Sequence, residues 1–230
     1  MIQSTFPVHT EGQGLKPDFI DPAFYQGREI PLPKPAENLY ERDFTQLSKK
    51  RKSGRAYSKV TMTQKQLSHI LYYSYHLMED TRVHLPVPTA CNGRSLRLYL
   101  CILNVLDLEK GIYKYHPKNH SLFLVQRFSD AEEDLQAIFL KQNFLLKASC
   151  LLALGAHLPS ASYKYPSEAE KFILLEAGHV GQQIQLAAES LNLASCPVAK
   201  YDQALADAFF QAEETPITYV FSLGTRGGLG

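Results

Sequence analysis

Lys200 and Tyr201 stand side by side just after a Ser195-Cys196-Pro197 step. A desolvated lysine loses its charge near neutral pH and can then take a proton. A neighbouring phenol can position or polarise a ring, or share that proton. An isolated Lys-Tyr dipeptide is ordinarily an exposed lysine beside a packed tyrosine, and Lys164-Tyr165 is a second such pair in this chain. Context therefore has to decide what the pair does. A second group is Arg51-Lys-Ser53-Gly-Arg55. In an extended segment the side-chain period of two puts Arg51, Ser53 and Arg55 on one side. Two guanidinium forks and a hydroxyl together suit a phosphate. The competing reading is a solvated basic run, KKRKSGR, and composition alone favours it.

Two further stretches can hold a ligand. Pro88-Thr-Ala-Cys-Asn92-Gly-Arg94-Ser is a small-residue loop ahead of an apolar run. Such a loop lets a flat cofactor approach the backbone closely, or is an ordinary turn. Glu176, His179 and Gln183 recur at spacings of three and four, which predicts one shared helix face. Gly178 and Gly181 in the same helix cost about 1 kcal/mol each against alanine. Close approach of a ring or of another helix would offset that cost, so this face reads as a ligand or subunit interface, against a partly exposed face. Other chemistries are poorly supplied. His116 and His120 flank a turn without a third ligand, so no metal site is expected. Cys91, Cys101, Cys150 and Cys196 contain no C-x-x-C pair and read as reduced, mostly buried thiols. Cys196 has no paired histidine after it. G-x-G-x-x-G and phosphate-loop sequences are absent.

The elements that must position these residues follow from periodicity. Residues 1–45 hold six prolines from Pro7 to Pro35, which interrupt every helix or strand there, and read as an irregular arm. Its aromatics, among them Phe24 and Tyr25, imply that it packs on something. The folded body is expected over 46–230. Thr63 is an N-cap for a helix over 64–78. Leu96–Val105 and Cys150–Ala156 are apolar on both faces, as buried strands are. Gly111–His116 and Ser121–Gln126 form a hairpin about Pro117, Lys118 and Asn119. Residues 131–144 alternate as a helix. An apolar stripe of Ile173, Ala177, Val180, Ile184, Ala187 and Leu191 predicts a long helix over 167–193. Pro197 is expected to fix a bend, Asp202 to cap a helix over 203–210, and Ile217–Leu223 to form a late strand. Interleaved helices, strands and a hairpin give an α+β fold with a central mixed or antiparallel sheet. The formal net charge of +1 recruits neither nucleic acid nor membrane. No apolar run approaches the ~20 residues that cross a bilayer, and the N-terminus lacks the marks of a signal peptide. A cytoplasmic protein is expected.

The pieces together resemble the flavin-dependent nitroreductase superfamily, and within it the SagB/McbC-type azoline dehydrogenases. Arg51-Lys-Ser53-Gly-Arg55-Ala-Tyr57 is similar to the Arg-x-Ser-x-Arg/Lys opening of that superfamily. Glu176-Ala-Gly-His179 and the Ser-Cys-Pro-Val-Ala199-Lys200-Tyr201-Asp turn carry the likeness to azoline dehydrogenases. The resemblance implies a nitroreductase-like fold with FMN at a homodimer interface. It implies that Arg51, Ser53, Arg55 and, near the C-terminus, Arg226 hold the phosphate of FMN. Asn92 would bond the flavin, although the loop departs from the azoline dehydrogenase pattern at Cys91, Asn92, Arg94 and Ser95. The Ala199 N–H would meet the hydride-accepting nitrogen, and Lys200 and Tyr201 would be the catalytic pair. Glu176, His179 and Gln183 would lie beside the flavin and the dimer interface. The implied activity is oxidation of peptide thiazolines or oxazolines to azoles, with molecular oxygen as final acceptor. The implied partners are a peptide substrate, a cyclodehydratase and associated leader-binding subunits. Two alternatives stay open: an NAD(P)H-dependent nitro- or quinone reductase, and a non-catalytic scaffold subunit of a peptide-modifying complex.

Overall fold

LRLYLCI and CLLALGA are buried along their whole length, as β4 (Leu96–Ile102) and β7 (Cys150–Ala156). A strand apolar on both faces needs a layer on each side, and the fold is built around that need. A computed structural model describes residues 20–35, 43–79, 83–90, 94–163, 165–212 and 214–228. Seven strands form one sheet in the order β1-β6-β5-β4-β7-β9-β8. Beside β4 and β7 these are β1 (Arg28–Pro31), β5 (Gly111–His116), β6 (Ser121–Arg127), β8 (Leu193–Val198) and β9 (Ile217–Thr225). Every neighbouring pair in it is antiparallel. A short ribbon, β2 (Met78–Glu79) with β3 (Val83–His84), stands apart.

Alternation along the central strands sorts their side chains into two cores. Leu98, Leu100, Leu152, Leu154 and Phe221 pack with α2 (Gln64–Tyr75) and α5 (Ala169–Ser190). Tyr99, Cys101, Leu151, Ala153 and Val220 pack on the other side with α3 (Glu132–Ile138) and α6 (Gln203–Phe210). Two shorter helices, α1 (Phe44–Lys50) and α4 (Leu158–Ser162), flank these layers. Thr63 caps α2 in a reciprocal box with Gln66. Asp202 caps α6 by accepting from the Leu205 N–H at 3.0 Å. Gly181 is where the β9 ring of Phe221 meets α5: a Cβ there would lie 2.5 Å from Phe221 Cζ. That close approach offsets the glycine's cost. Gly178 has no such neighbour, since a Cβ on it would meet nothing within 4 Å.

Several boundaries differ from the sequence expectation, each for a physical reason. Helix α3 stops at Ile138 because Leu140 and Lys141 take left-handed φ values of 51° and 61°. The helix expected over 131–144 therefore breaks in two, its second part a 3-10 turn over Asn143–Lys147. The proline-rich arm does supply a strand. Arg28–Pro31 pairs with β6 as the outer strand of the sheet, where a proline costs no ladder bond. Tyr25 of the same segment is buried beside His116. Cys101, Cys150 and Cys196 are reduced and buried, while Cys91 lies outside the described residues. Among the described residues no cluster suited to a metal ion occurs, and no helix is long and apolar enough to cross a membrane.

His120 closes the β5–β6 hairpin and joins three segments. The single Ser68 hydroxyl proton goes to the Pro33 carbonyl. The His120 Nε2–H therefore donates to Ser68 Oγ at 2.7 Å, and Nδ1 accepts from the Tyr115 hydroxyl at 2.9 Å. The neutral ring satisfies every partner. His116, the other histidine of the hairpin, accepts the Asn119 N–H at 3.0 Å. Burial holds the pKa of His120 down to about 3, that of His69 to about 4 and that of His157 to about 3.

Folded-state values below the ordinary histidine value mean that the unfolded chain binds more protons. Stability from these rings is complete above about pH 6.5 and is lost as the pH falls through about 4 for His69 and about 3 for His120 and His157. The limiting slope is about 1.4 kcal/mol per pH unit for each histidine. Urea unfolding across that range should show the slope, and His120→Gln should reduce it; an unchanged slope would contradict the assignment. Gly181→Val should lower stability by about 1–3 kcal/mol through overpacking against Phe221, read from the same denaturation curves.

Candidate active site

Of the two sequence groups with chemical potential, that of Arg51, Ser53 and Arg55 runs along β8 from its start to its middle, and the Lys200-Tyr201 pair follows the strand's far end. Helix α5 ends at Ser190, and Leu191 with Asn192 (φ 57°) turns the chain back into β8. One side of β8 pairs with β9 over six residues. The other side receives the extended segment after α1. Ser53 forms a parallel bridge with Ser195, and the Gly54 N–H donates to the Ser195 carbonyl at 2.8 Å. Tyr57 bridges Arg226, the Ser58 N–H reaches the Thr225 carbonyl at 2.9 Å, and the Gly227 N–H reaches Ala56 at 2.9 Å. The Tyr57 hydroxyl, 2.6 Å from Ser222 Oγ, bolts this segment to β9.

This clamp brings Arg51, Ser53 and Arg226 to the last turns of α5. Arg51 Nη1 donates to Gln185 Oε1 at 2.9 Å. Arg226 Nη2 donates to Glu189 Oε2 at 2.6 Å and to the Leu193 carbonyl at 3.0 Å. The buried Arg226 Nε has no hydrogen-bond partner. Arg55 departs from the expected common side. Its guanidinium lies 5.6 Å over the Phe144 ring and beside the Cys196 thiol, in the opposite layer from Gln185. The cause is that the chain crosses the edge of β8 between Ser53 and Tyr57, so strict alternation does not hold. Two guanidinium groups, Arg51 and Arg226, stand at this end with one carboxylate, Glu189, which leaves the end positive. Gln185 and Glu189 were not singled out from sequence. Their signal is two buried polar residues four apart on α5, facing the two arginines.

At the far end of β8 stand Ala199, Lys200 and Tyr201. Six strand residues separate the two ends, about 20 Å at the usual rise. Pro197 makes no bend: it sits inside β8, which is an edge strand and tolerates it. In an antiparallel edge strand alternate peptide groups point away from the partner. Ser195 points outward, as its bond from Gly54 shows, so Pro197 does too, while Ala199 lies just past the end of the strand. Lys200 is exposed, and its carbonyl accepts from Gln142 Nε2 at 2.7 Å. Tyr201 is half-buried near Phe139, and its hydroxyl donates to the Ile217 carbonyl at 2.8 Å. Burial raises its pKa, with Asp207 adding to the effect.

Helix α5 separates the three residues expected on one face. Glu176 is buried, accepting from the Tyr75 hydroxyl at 2.9 Å and from the Ser95 hydroxyl and N–H at 2.9 and 3.2 Å. Burial pushes its carboxyl up against the opposing pull of those bonds and of Arg97. Glu176 thus fastens the end of the 88–95 loop to α5. His179 is exposed, and Gln183 is half-buried with Nε2 3.4 Å from the Tyr73 carbonyl. Spacings of three and four drift around a 3.6-residue turn, enough here to put Glu176 inside and His179 outside. The outer face instead shows Leu174 and Leu175, 51% and 55% exposed, beside Gly178 and His179. Asn92 lies outside the described residues.

Comparison with known proteins agrees with this architecture. Residues 48–225 match the Nitroreductase family. A Methanocaldococcus jannaschii protein assigned by name to the nitroreductases is 33% identical over 171 residues, 73% of this chain and 84% of that one. A nitroreductase structure from Anabaena variabilis aligns with TM-score 0.74 at 22% identity, over 87% of this chain and 42% of that chain. A chain of the Escherichia coli microcin synthetase McbBCD complex aligns with TM-score 0.68 at 17% identity, over 84% and 77%. An Exiguobacterium sibiricum nitroreductase solved with FMN aligns with TM-score 0.60 at 14% identity, over 83% and 91%. The family match covers the 51–58 segment and all of β8, and the chain therefore belongs to the nitroreductase family.

Proposed function

We propose that this chain is an FMN-dependent dehydrogenase that oxidises thiazoline or oxazoline rings of a ribosomal peptide to azoles. The observation that carries the reading is the placement of Lys200 beside Ala199 at one end of β8, with the arginine cluster at the other. The cluster fits a phosphate by its chemistry: guanidinium donors from Arg51 and Arg226, the Ser53 hydroxyl, and a buried Arg226 Nε still without a partner. Arg55 adds positive charge from the neighbouring layer. Aromatising an azoline removes a hydride and a proton from adjacent carbons, and FMN, when bound, supplies the hydride acceptor. The proton then needs a base from the protein, which is the role of Lys200. The Tyr201 hydroxyl already serves the Ile217 carbonyl, so its part is to hold the turn that presents Lys200. In this reading the Ala199 N–H, just past the end of β8, is the donor that meets the flavin.

The exposed Leu174, Leu175 and Gly178 of α5 suit a second copy of the chain, so the working unit is a homodimer. The likeness to a chain of the microcin synthetase McbBCD complex supports assembly with other subunits, and the reading takes these to be a cyclodehydratase and leader-binding subunits, in the cytoplasm. A second reading, an NAD(P)H-dependent nitro- or quinone reductase, draws on the methanogen relative's name.

Lys200→Ala should keep the yellow cofactor and lower azole formation by about 10²–10⁴-fold, seen as loss of the two-dalton mass decrease. Full turnover would remove Lys200 from the role. Arg51→Ala combined with Ser53→Ala should weaken FMN binding by about 10–100-fold, measured by flavin fluorescence titration, and unchanged affinity would defeat the phosphate assignment. Rapid bleaching of the bound flavin by NAD(P)H alone would favour the second reading.

A further inference from the structure

The phenol best placed to meet a substrate is not Tyr201. That hydroxyl is spent on the Ile217 carbonyl, and its ring belongs to the α3–α6 side of the sheet. Tyr219 lies on the other side, packed against the α5-side core. Val198 and Val220 are the last register pair of β8 and β9, so the next position outward sets Tyr219 across from Ala199. The Tyr219 ring is 4.6 Å from that of Phe221, at 58°. Phe221 in turn rests on Gly181.

The chain direction fixes the level of Tyr219 along α5. Strand β8 turns back from α5, and β9 is antiparallel to β8, so β9 and α5 run the same way. Two strand residues span about 6.6 Å, close to four helical residues at about 6 Å. Tyr219 therefore stands about level with Ala177, one step before Phe221 at Gly181. Tyr219 is half-exposed, and its hydroxyl makes no hydrogen bond among the described residues. Burial, then the nearby Cys196, raises the phenol above its ordinary range, so it stays a donor at neutral pH.

We infer that Tyr219 is a specificity-determining residue of the reacting face, offering its ring as a wall and its hydroxyl as a donor to a planar nitrogen heterocycle. The identity of that heterocycle as an azole rests on the function proposed above. An aromatic wall favours flat rings by offset or edge contact, and the hydroxyl favours a ring with an acceptor nitrogen. The two other tyrosines beside β8, Tyr57 and Tyr201, are both committed to internal bonds.

Titration of the FMN-loaded protein with thiazole-4-carboxamide and with p-nitrobenzoate, followed in the visible flavin band, tests this without turnover. Tyr219→Phe should weaken thiazole binding by about five- to ten-fold, with flavin content and thermal midpoint unchanged. Tyr219→Ala should weaken both probes by more than ten-fold. With an azoline peptide, Tyr219→Phe should raise KM more than it lowers kcat. Wild-type affinity for both probes in both variants overturns the inference, as does a wild-type protein that binds neither. A protein whose p-nitrobenzoate affinity depends on Tyr219, but which never oxidises an azoline peptide, retains Tyr219 and discards the azoline reading.

Discussion

The antiparallel ladder between β8 and β9 is the constraint on which the candidate site depends. It fixes which way every peptide of β8 faces, and so which atoms the strand keeps for itself. The inward groups hold the strand to the sheet. The outward groups are left for the 51–58 segment and for whatever lies beyond Pro197. Because α5 feeds directly into β8 through two residues, the same ladder sets the height of the helix against the strand. Gly181 and Phe221 lock that height, and the arginine end and the Lys200 end then follow at a fixed separation.

Charge is handled differently at the two ends. At the arginine end, Glu189 is almost fully buried, and its pairing with Arg226 removes what would otherwise be an uncompensated buried charge. Among the described residues Arg51 bonds the neutral Gln185 amide, so its charge is not offset by a carboxylate. At the other end Lys200 is exposed, and its carbonyl is held by the Gln142 side chain. Glu176 belongs to neither end. Its carboxylate bonds the Tyr75 phenol and the Ser95 backbone, so it holds the loop before β4 in register with α5.

Much of this was legible in the sequence. The buried strands β4 and β7, the β5–β6 hairpin, the capped α6 and the long α5 all follow from periodicity and capping chemistry. What failed did so where tertiary contact overrides local pattern. Leu140 and Lys141 adopt left-handed conformations that no residue-type rule assigns to leucine or lysine. Pro31 and Pro197 read as breakers, yet both sit in outer strands, where the missing N–H faces no partner. Arg51, Ser53 and Arg55 obey alternation only until the chain crosses an edge. Tyr201 carries the same name and neighbour that made it a candidate, but its hydroxyl reaches a carbonyl sixteen residues away that sequence alone does not place nearby. Tyr219 gave no signal at all, since a tyrosine in a late strand is ordinary until its face is known.

Pro197 in the outermost strand has a further consequence. A free strand edge is a template for pairing with any other chain, and natural sheets blunt it with prolines or cover it. Here the Ser195 peptide is covered by Gly54, and the Pro197 nitrogen has no hydrogen to give. The edge is therefore too broken to recruit a second strand, which protects the molecule from edge-to-edge aggregation. The strand itself ends one residue after the proline, at Val198. So short an edge, with one peptide covered and one without a donor, offers a second chain no ladder to extend.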